Sequence, residues 1–215
     1  MNYSRSEENG LRLLKDTDLQ ILSVGVSTGG VAEVRMAMSN PNRHIVATTV
    51  DDKGAADAKN YIKEKGFSKQ IEVRLEDVSE PLSYDDDYFD YIYARLVLHY
   101  LPKDKLDKTL LELKRVLKPG GLLFIVVRSV YCPDAKSKDA KYDNTTGMTT
   151  IISRTNLDHS YSRYFHTEDS IKAHLISSGI NIRHIKSYEE QLFVDFMREV
   201  LAPHKDHVIE IVGEK

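Results

Sequence analysis

The chain has 215 residues, of which 41% are hydrophobic and 29% are charged, and its formal net charge is −3. This length and composition fit one soluble globular domain, and they argue against a disordered chain or two ordinary domains. Proteins that bind nucleic-acid phosphates usually carry a basic excess, so the slightly acidic balance disfavours nucleic acid as a partner.

Cysteine content and hydropathy exclude several further classes. The single cysteine, Cys132, excludes an internal disulfide and a zinc site built on paired cysteines, and it fits a reducing compartment. The polar N-terminus lacks the apolar stretch of a signal peptide, and no apolar run reaches the ~18 residues of a membrane span. We therefore expect a cytoplasmic protein with no metal site and no membrane partner, and its oligomeric state stays open.

The first half of the chain alternates between strand-like and helical patterns. Apolar or alternating runs predict strands at residues 20–26, 44–50, 70–77 and 88–98. Apolar residues at helical spacing, together with good helix formers, predict helices at residues 29–40, 55–66 and 104–118.

The second half is less regular. The continuous apolar run LLFIVV, residues 122–127, predicts a strand that is buried on both faces. Patterning then fades, and residues 131–165 are predicted to form a long surface segment. The remaining elements are predicted to be a helix at 166–179, a strand at 180–188, a helix at 190–203 and a final strand at 207–212.

Strands that alternate with helices predict a parallel sheet wrapped on both faces, which is an α/β fold. Without an internal repeat or a linker, residues 1–215 are predicted to form a single domain. Ligands of such sheets bind beyond the carboxyl ends of the strands, near the point where strand order reverses. Candidate functional residues should therefore follow the strands.

A glycine turn follows the first strand. Gly25 permits a tight turn, and Gly29 lets the backbone approach a ligand or the next element closely. The helix N-terminus that follows offers free N–H groups to a carboxylate or a phosphate. A plain strand-to-helix turn explains the same residues, because a lone glycine turn is weak evidence.

Acidic residues close the next two strands. Asp51 and Asp52 end the second strand, where a carboxylate can accept two ribose hydroxyls, although either residue can instead cap a helix. Asp77 ends the third strand and can accept an adenine amine or face solvent. Since these acids and the glycine turn fall at one edge of one sheet, their combination favours a nucleotide site.

The strings ILSVGVSTGG, VATTVDD, VRLEDV, FDYIYARLVLHYL and ELKRVLKPGGLLFIVV together resemble the class I S-adenosylmethionine-dependent methyltransferases, and most closely their small-molecule "type 11" group. The likeness covers residues 19–127 well and the rest in outline, and its last two strings are the most specific. It implies a Rossmann-like, doubly wound, mostly parallel seven-stranded sheet with an antiparallel last strand. It also implies an enzyme that uses S-adenosylmethionine.

The resemblance also implies roles for individual residues. The turn from Gly25 to Gly29 would border the methionine half of the cofactor, Asp51 would hold the ribose, and Asp77 with the Val78 backbone would face the adenine. The complete set of predicted cofactor residues is Ser23, Gly25, Val26, Ser27, Gly29, Asp51, Asp52, Asp77, Val78, Ala94 and Arg95.

Two of these positions depart from the family pattern. The family usually has an acid at position 23 and a glycine at position 27, where this chain has Ser23 and Ser27. A serine can still accept a hydrogen bond, but loss of a charge-assisted bond should weaken cofactor binding about ten-fold. On this basis Ser23→Asp is expected to tighten binding.

Substrate residues are less well marked, and no catalytic residue stands out. Methyl transfer needs a general base only when the acceptor has a high pKa. The candidates that could line an acceptor pocket are His99, Tyr131, Arg163, Tyr164 and His166. Each has a structural alternative, namely packing for His99 and the tyrosines, a solvated surface position for Arg163 and helix entry for His166. The long segment 131–165 is predicted to cover the pocket.

The best prediction is methyl transfer to a small-molecule acceptor. The position after the fourth strand carries YARL rather than the Asn/Asp-Pro-Pro-aromatic motif that is common in adenine and glutamine amino-methyltransferases. One alternative is a non-catalytic relative that binds the cofactor or a partner, because of Ser23 and Ser27. The other is a nicotinamide-dependent reductase, although GVSTGG lacks the middle glycine of its fingerprint.

Overall fold

The computed structural model describes residues 3–26, 29–152, 160–193 and 198–215. These residues form five α-helices, namely α1 (Arg5–Arg12), α2 (Val31–Ser39), α3 (Asp52–Glu64), α4 (Lys103–Val116) and α5 (Glu168–Ser177). Their strands are β1 (Gln20–Val24), β2 (His44–Thr49), β3 (Ile71–Leu75), β4 (Phe89–Arg95), β5 (Leu117–Arg128), β6 (Lys141–Tyr142), β7 (Thr149–Ile152), β8 (Ser160–Arg163), β9 (Asn181–Glu190) and β10 (Asp206–Glu214). Among these described helices, none has the length and apolar character that crossing a bilayer requires.

Seven strands form one sheet in the order β3-β2-β1-β4-β5-β10-β9. Strands β1 to β5 run parallel to one another, and β10 runs antiparallel to both of its neighbours. This confirms the predicted doubly wound, mostly parallel sheet with an antiparallel last strand. Strand order reverses between β1 and β4, where Ser23 pairs with Tyr93. A ligand crevice is therefore expected beyond this pair.

Apolar side chains fill the space on both faces of the sheet. One cluster joins the sheet to α4 and α5 through residues such as Leu110 and Leu175, and the other joins it to α2 and α3 through Met36 and Ile62. The side chains of residues 123–127 in β5 are fully buried and alternate between the two clusters. The predicted two-sided burial of this strand is confirmed.

Helix α1 is the main element that sequence analysis missed. Its eight residues, RSEENGLR, are mostly polar, so they carry no apolar stripe. Gly10 packs so closely on the sheet that an added Cβ would lie 2.6 Å from ring atoms of Tyr93 and Phe124. The Tyr91 hydroxyl donates to the Gly10 carbonyl at 2.8 Å. Tertiary contacts of this kind leave no periodic signal in the sequence.

Residues 131–165 carry more structure than the predicted surface segment. Strands β6, β7 and β8 form a separate three-stranded antiparallel sheet, and Cys132, Ile151 and Phe165 make a small buried cluster. These strands are only two to four residues long, so they are too short to give a clear alternation in the sequence. Residues 153–159 of the predicted cover lie outside the described residues.

The helix predicted at residues 190–203 is wrong for the described residues. Strand β9 continues through Glu190, which pairs with β10, and Phe193 forms an isolated antiparallel bridge with Leu201. Strand pairing at this end of the sheet outweighs the helical spacing of the apolar residues. Residues 194–197 lie outside the described part.

Candidate functional site

A cavity of about 380 Å³ lies at the carboxyl ends of β1 and β4, where strand order reverses. Its wall is built from α1, the turn and helix after β1, the residues that follow β4, and the chain after β9. The lining residues are Ser4, Glu7, Ser23, Val24, Gly25, Val26, Gly29, Gly30, Val31, Ala32, Glu33, Tyr93, Arg95, Leu96, His99, Tyr100, Arg128, Leu192, Phe193 and Arg198.

The glycine turn after β1 is shaped by tight backbone geometry. Gly25 has a φ of +79°, and an added Cβ would lie 2.6 Å from a methyl carbon of Val97. The N–H groups of Gly25 and Val26 donate to the Thr48 carbonyl at 2.9 and 2.8 Å, which ties the turn to β2. Residues 27 and 28 are outside the described part, so the predicted contact of Ser27 stays a prediction.

The N-terminus of α2 faces the cavity. Gly30 stands at the cap position with a φ of +60°, and no side chain caps this end among the described residues. The first-turn residues Val31, Ala32 and Glu33 line the cavity. Uncapped N–H groups and the positive end of the helix dipole make this a suitable place for an anionic group.

Ser23 is joined to a buried carboxylate that sequence analysis did not identify. The Ser23 hydroxyl donates to Glu33 Oε1 at 2.5 Å, and Glu33 is 4% exposed. Burial raises the pKa of Glu33, although the hydrogen bond from Ser23 opposes the shift. The signal for this residue was an acid in the first turn of α2, which is usually interpreted as helix stabilisation.

Glu7 is the second buried carboxylate of the cavity wall, and two arginines balance its charge. It receives Arg35 Nη1 at 2.8 Å and Arg198 Nη2 at 2.6 Å, and it is 1% exposed. Burial alone would raise the pKa of Glu7, but the bonds from Arg198 and Arg35 hold it below its ordinary value. Its charge is therefore already matched within the protein.

Arg95 lies in the cavity wall, where it was predicted. It donates from Nε to Ser6 Oγ at 2.7 Å and from Nη2 to Ser4 Oγ at 2.5 Å, so it holds α1 against the end of β4. The next residue, Leu96, has a φ of +56°, which is uncommon for a branched side chain. This bend turns the chain sharply after β4 and leads it along the cavity.

Three side chains of the wall have buried polar atoms without a partner among the described residues. These atoms are the Tyr93 hydroxyl, Arg128 Nε and both ring nitrogens of His99, which is 1% exposed. Burial lowers the pKa of His99 well below its ordinary value, and the charges of Arg128 and Arg163 act in the same direction. A neutral imidazole offers one donor and one acceptor, so His99 can bind a polar ligand group on either side.

Asp51 and Asp77 lie at the same sheet edge, after β2 and β3, but they are exposed and do not line the cavity. Asp51 caps α3 by accepting the Lys53 N–H at 3.1 Å, whereas Asp52 is the first residue of that helix. Asp77 accepts the Ser79 N–H at 2.9 Å. Each carboxylate therefore has a local structural role and keeps an accessible side.

Val78 and Ala94 contribute differently from the other predicted cofactor residues. Their side chains are buried in the core cluster under α4 and α5, and Ala94 is fully buried. Neither residue lines the cavity, so the predicted cofactor contacts of both would have to come from their backbone atoms. The Val78 carbonyl already accepts a hydrogen bond from Thr109 Oγ1 at 3.3 Å.

The structure does not bring four of the five predicted substrate residues into the cavity wall. Tyr131 is 62% exposed, and the Arg163 guanidinium donates to Asp134 at 2.6 Å. Tyr164 shares a hydrogen bond with His174, at 3.1 Å.

His166 is the fourth of these residues, and it is fully buried. Burial, with a smaller effect of His174, lowers its pKa to about 3. Of the five candidates only His99 lines the cavity, because the others are engaged within residues 131–165 or by α5. Within the described residues, no group of three or more His, Cys, Asp or Glu side chains could hold a metal ion.

Comparison with known proteins adds a family context to this geometry. A family model described as a methyltransferase domain matches residues 22–125. The chain is 28% identical over 123 residues to the ubiquinone/menaquinone biosynthesis C-methyltransferase UbiE of Vibrio vulnificus, a match that covers 56% of this chain and 46% of that protein. It is 28% identical over 118 residues to the hybrid PKS-NRPS synthetase gkaA of Penicillium citrinum, covering 52% of this chain and 3% of that protein. The chain thus spans less than half the length of these relatives.

A solved structure is similar over the whole chain. A SAM-dependent methyltransferase from Methanosarcina mazei has a TM-score of 0.73 and 17% sequence identity, and the match covers 100% of this chain and 99% of that chain. At this identity the likeness shows the fold.

Proposed function

Since this chain belongs to the S-adenosylmethionine-dependent methyltransferases, we propose that it transfers the methyl group of S-adenosylmethionine to a small-molecule acceptor. The observation that carries the proposal is the cavity beyond β1 and β4. It joins a glycine turn and a helix N-terminus to buried polar groups, and in the described part of the chain this N-terminus has no side-chain cap and these groups have no partner.

The residues present fit the cofactor from one end to the other. The N–H groups at the start of α2 suit the methionine carboxylate, and the turn at Gly25 leaves room for backbone approach. Asp51 is proposed to accept the ribose hydroxyls through the carboxylate side that does not cap α3. Asp77 and the Val78 backbone are proposed to face the adenine along the open edge of the sheet.

The acceptor is proposed to bind at the part of the cavity that holds His99 and Tyr100, whose ring centroids lie 4.5 Å apart. When bound, S-adenosylmethionine supplies an activated methyl group on a positively charged sulfur. The protein then has to orient the acceptor and exclude water. A neutral His99 can hold an acceptor hydroxyl by a hydrogen bond, because neither ring nitrogen has a partner among the described residues.

A small organic acceptor is favoured over a macromolecule. The cavity is enclosed by α1 and by residues after β9, and the chain has a net charge of −3. The name of the Vibrio vulnificus relative refers to ubiquinone and menaquinone biosynthesis, which is in keeping with a quinone-like organic acceptor. Tyr100 and Phe193 would give such a molecule apolar ring surfaces.

The proposal is tested by titration calorimetry with S-adenosylmethionine, S-adenosylhomocysteine and NADH, followed by a methyl-transfer assay. The assay would use labelled S-adenosylmethionine and a panel of phenols, quinols, thiols, amines and enolisable carbonyl compounds. Binding of both sulfur ligands, with transfer to a member of the panel, is expected. Binding without any transfer would favour a non-catalytic relative, and binding of NADH alone would favour a reductase.

A further inference from the structure

We propose that Glu33 is the anionic partner of the ammonium group at the methionine end of the cofactor, in place of the acid that Ser23 lacks. This inference rests on the proposed binding of S-adenosylmethionine. It assigns a ligand-recognition role to a residue of α2 that the sequence pattern does not mark.

Glu33 has no ion-pair partner among the described residues, in contrast to Glu7, and Arg198 acts on it only through its charge and not by direct contact. Both carboxylates are buried and line the cavity, but Glu7 is paired with Arg35 and Arg198. Glu33 takes part in no ion pair within the described part of the chain, and its only side-chain partner there is the Ser23 hydroxyl. A buried carboxylate without a cation is costly, so a cationic ligand group is the natural complement.

The position of Glu33 matches one end of the proposed ligand. It lies in the first turn of α2, next to the uncapped N–H groups that suit a carboxylate. A carboxylate acceptor beside a set of N–H donors is complementary to an α-amino acid, which carries an ammonium and a carboxylate on one carbon. The Ser23 bond at 2.5 Å holds the Glu33 side chain in this place.

The same geometry reverses an expectation drawn from the sequence. An aspartate at position 23 would bring a second carboxylate against Glu33 in a buried site, and two adjacent carboxylates do not both ionise readily. Ser23→Asp is therefore expected to weaken binding of S-adenosylhomocysteine rather than tighten it. Serine at position 23 is then the partner of Glu33 and not a damaged acid.

A glutamate in the first turn of a helix often serves only to stabilise the helix N-terminus. That role predicts a change in stability, whereas ligand recognition predicts a change in preference between ligands. The deciding probe is a pair of ligands, S-adenosylhomocysteine and its analogue in which hydrogen replaces the amino group. Their affinities would be measured by calorimetry for the wild type, Glu33→Gln and Glu64→Gln, the last removing an exposed carboxylate at the far end of α3.

The wild type is expected to bind the amine-bearing ligand at least about ten-fold more tightly than the analogue. Glu33→Gln should reduce this preference to less than about three-fold, with little change for the analogue, and Glu64→Gln should keep it. If Glu33→Gln does not fold, Glu33→Asp is the second variant, because its side chain is shorter by one methylene group and holds the carboxylate farther from the ligand. It should also lose most of the preference for the amine-bearing ligand.

Three results would overturn the assignment. They are an unchanged preference in Glu33→Gln, tighter binding by Ser23→Asp, and a wild type that binds both ligands equally well. The last result would leave the proposed cofactor binding intact. A wild type that binds neither ligand would instead remove the proposed function, and this inference with it.

Discussion

The cavity and the segment 131–165 are both rich in aromatic and polar side chains, but they differ in how those side chains are partnered. In the segment and next to it, Arg163, Tyr164 and His166 each have a polar partner in Asp134, His174 and Ser170. In the cavity the Tyr93 hydroxyl and both nitrogens of His99 have none among the described residues. Residue type marks both regions equally, and one nitrogen each of Arg163 and His166 also lacks a partner among the described residues. The difference is that Tyr93 and His99 have no hydrogen-bonded side-chain polar atom at all in the described part of the chain, so unmet hydrogen-bonding capacity is concentrated in the cavity.

The largest expected effect on the cavity comes from adding a side chain at the glycine turn. Gly25→Ala would combine a φ of +79° with a Cβ 2.6 Å from Val97, whereas Gly66→Ala shares the positive φ, +82°, with nothing within 4 Å. Gly25→Ala should lose about 3 kcal/mol of unfolding free energy and at least ~100-fold in S-adenosylmethionine affinity. Gly66→Ala should lose about 1 kcal/mol and keep its affinity.

Denaturant unfolding and calorimetry on both variants measure these effects. Equal affinities in the two variants would mean that the turn does not border the cofactor. Equal losses of stability would mean that the close contact with Val97 relaxes without cost.

The second prediction separates the two roles of Asp51, which caps α3 and is proposed to hold the ribose. Asp51→Ala should weaken S-adenosylmethionine binding by ~2 kcal/mol or more, since two hydroxyls lose their acceptor, and should also cost ~1 kcal/mol of stability. Asp51→Asn keeps a capping side chain and should therefore lose affinity with little loss of stability. An Asp51→Asn variant with wild-type affinity would leave Asp51 as a cap alone.

The contrast between the two regions also explains which features the sequence could predict. The fold class and the family follow from patterns within short windows, such as the run at 122–127, and the structure and the family match confirm both. The Ser23 and Glu33 pair joins two elements across a turn, so neither residue signals the other in the sequence. Helix α1 is polar, and its close packing at Gly10 has no periodic signal.

Four of the predicted substrate residues are the reverse case, because the sequence marks them but the structure places them outside the cavity wall. Tyr131 and Arg163 were chosen because topology places their segment after β5, at the carboxyl edge of the sheet. That segment forms its own small sheet, in which Arg163 is paired with Asp134. Position along the chain therefore predicts that this segment lies near the carboxyl edge of the sheet. The direction of each side chain, however, depends on contacts that form only when the segment folds.

The third prediction compares two buried histidines, His99 in the cavity and His166 outside it. Burial lowers both pKa values, that of His166 to about 3, so the folded protein keeps both rings neutral while the unfolded chain protonates them below about pH 6.5. The unfolded state then binds more protons, and stability falls as pH falls. Each histidine should contribute up to about 1.4 kcal/mol per pH unit between pH 6.5 and 4.5.

Urea unfolding at several pH values should therefore give a shallower pH dependence for His99→Gln and for His166→Gln than for the wild type. Methyl transfer should distinguish the two variants, falling about ten-fold or more in His99→Gln and little in His166→Gln. If both variants lose the same activity, the unmet nitrogens of His99 have no special role.

The smallest expected effects concern residues 131–165 as a cover of the acceptor pocket. The described part of this segment has only three residues in its buried apolar cluster, so it should open at low free-energy cost and exchange amide hydrogens faster than β5. Bound S-adenosylhomocysteine with an acceptor analogue should slow exchange in residues 131–152 and 160–165, because closure excludes water.

Tyr131→Ala should then raise the acceptor KM about two-fold and leave cofactor affinity unchanged, since Tyr131 is 62% exposed and outside the cavity wall. Hydrogen exchange measured by mass spectrometry tests this prediction. If the turn at Gly25 gains protection and the segment 131–165 gains none, the segment is not a cover.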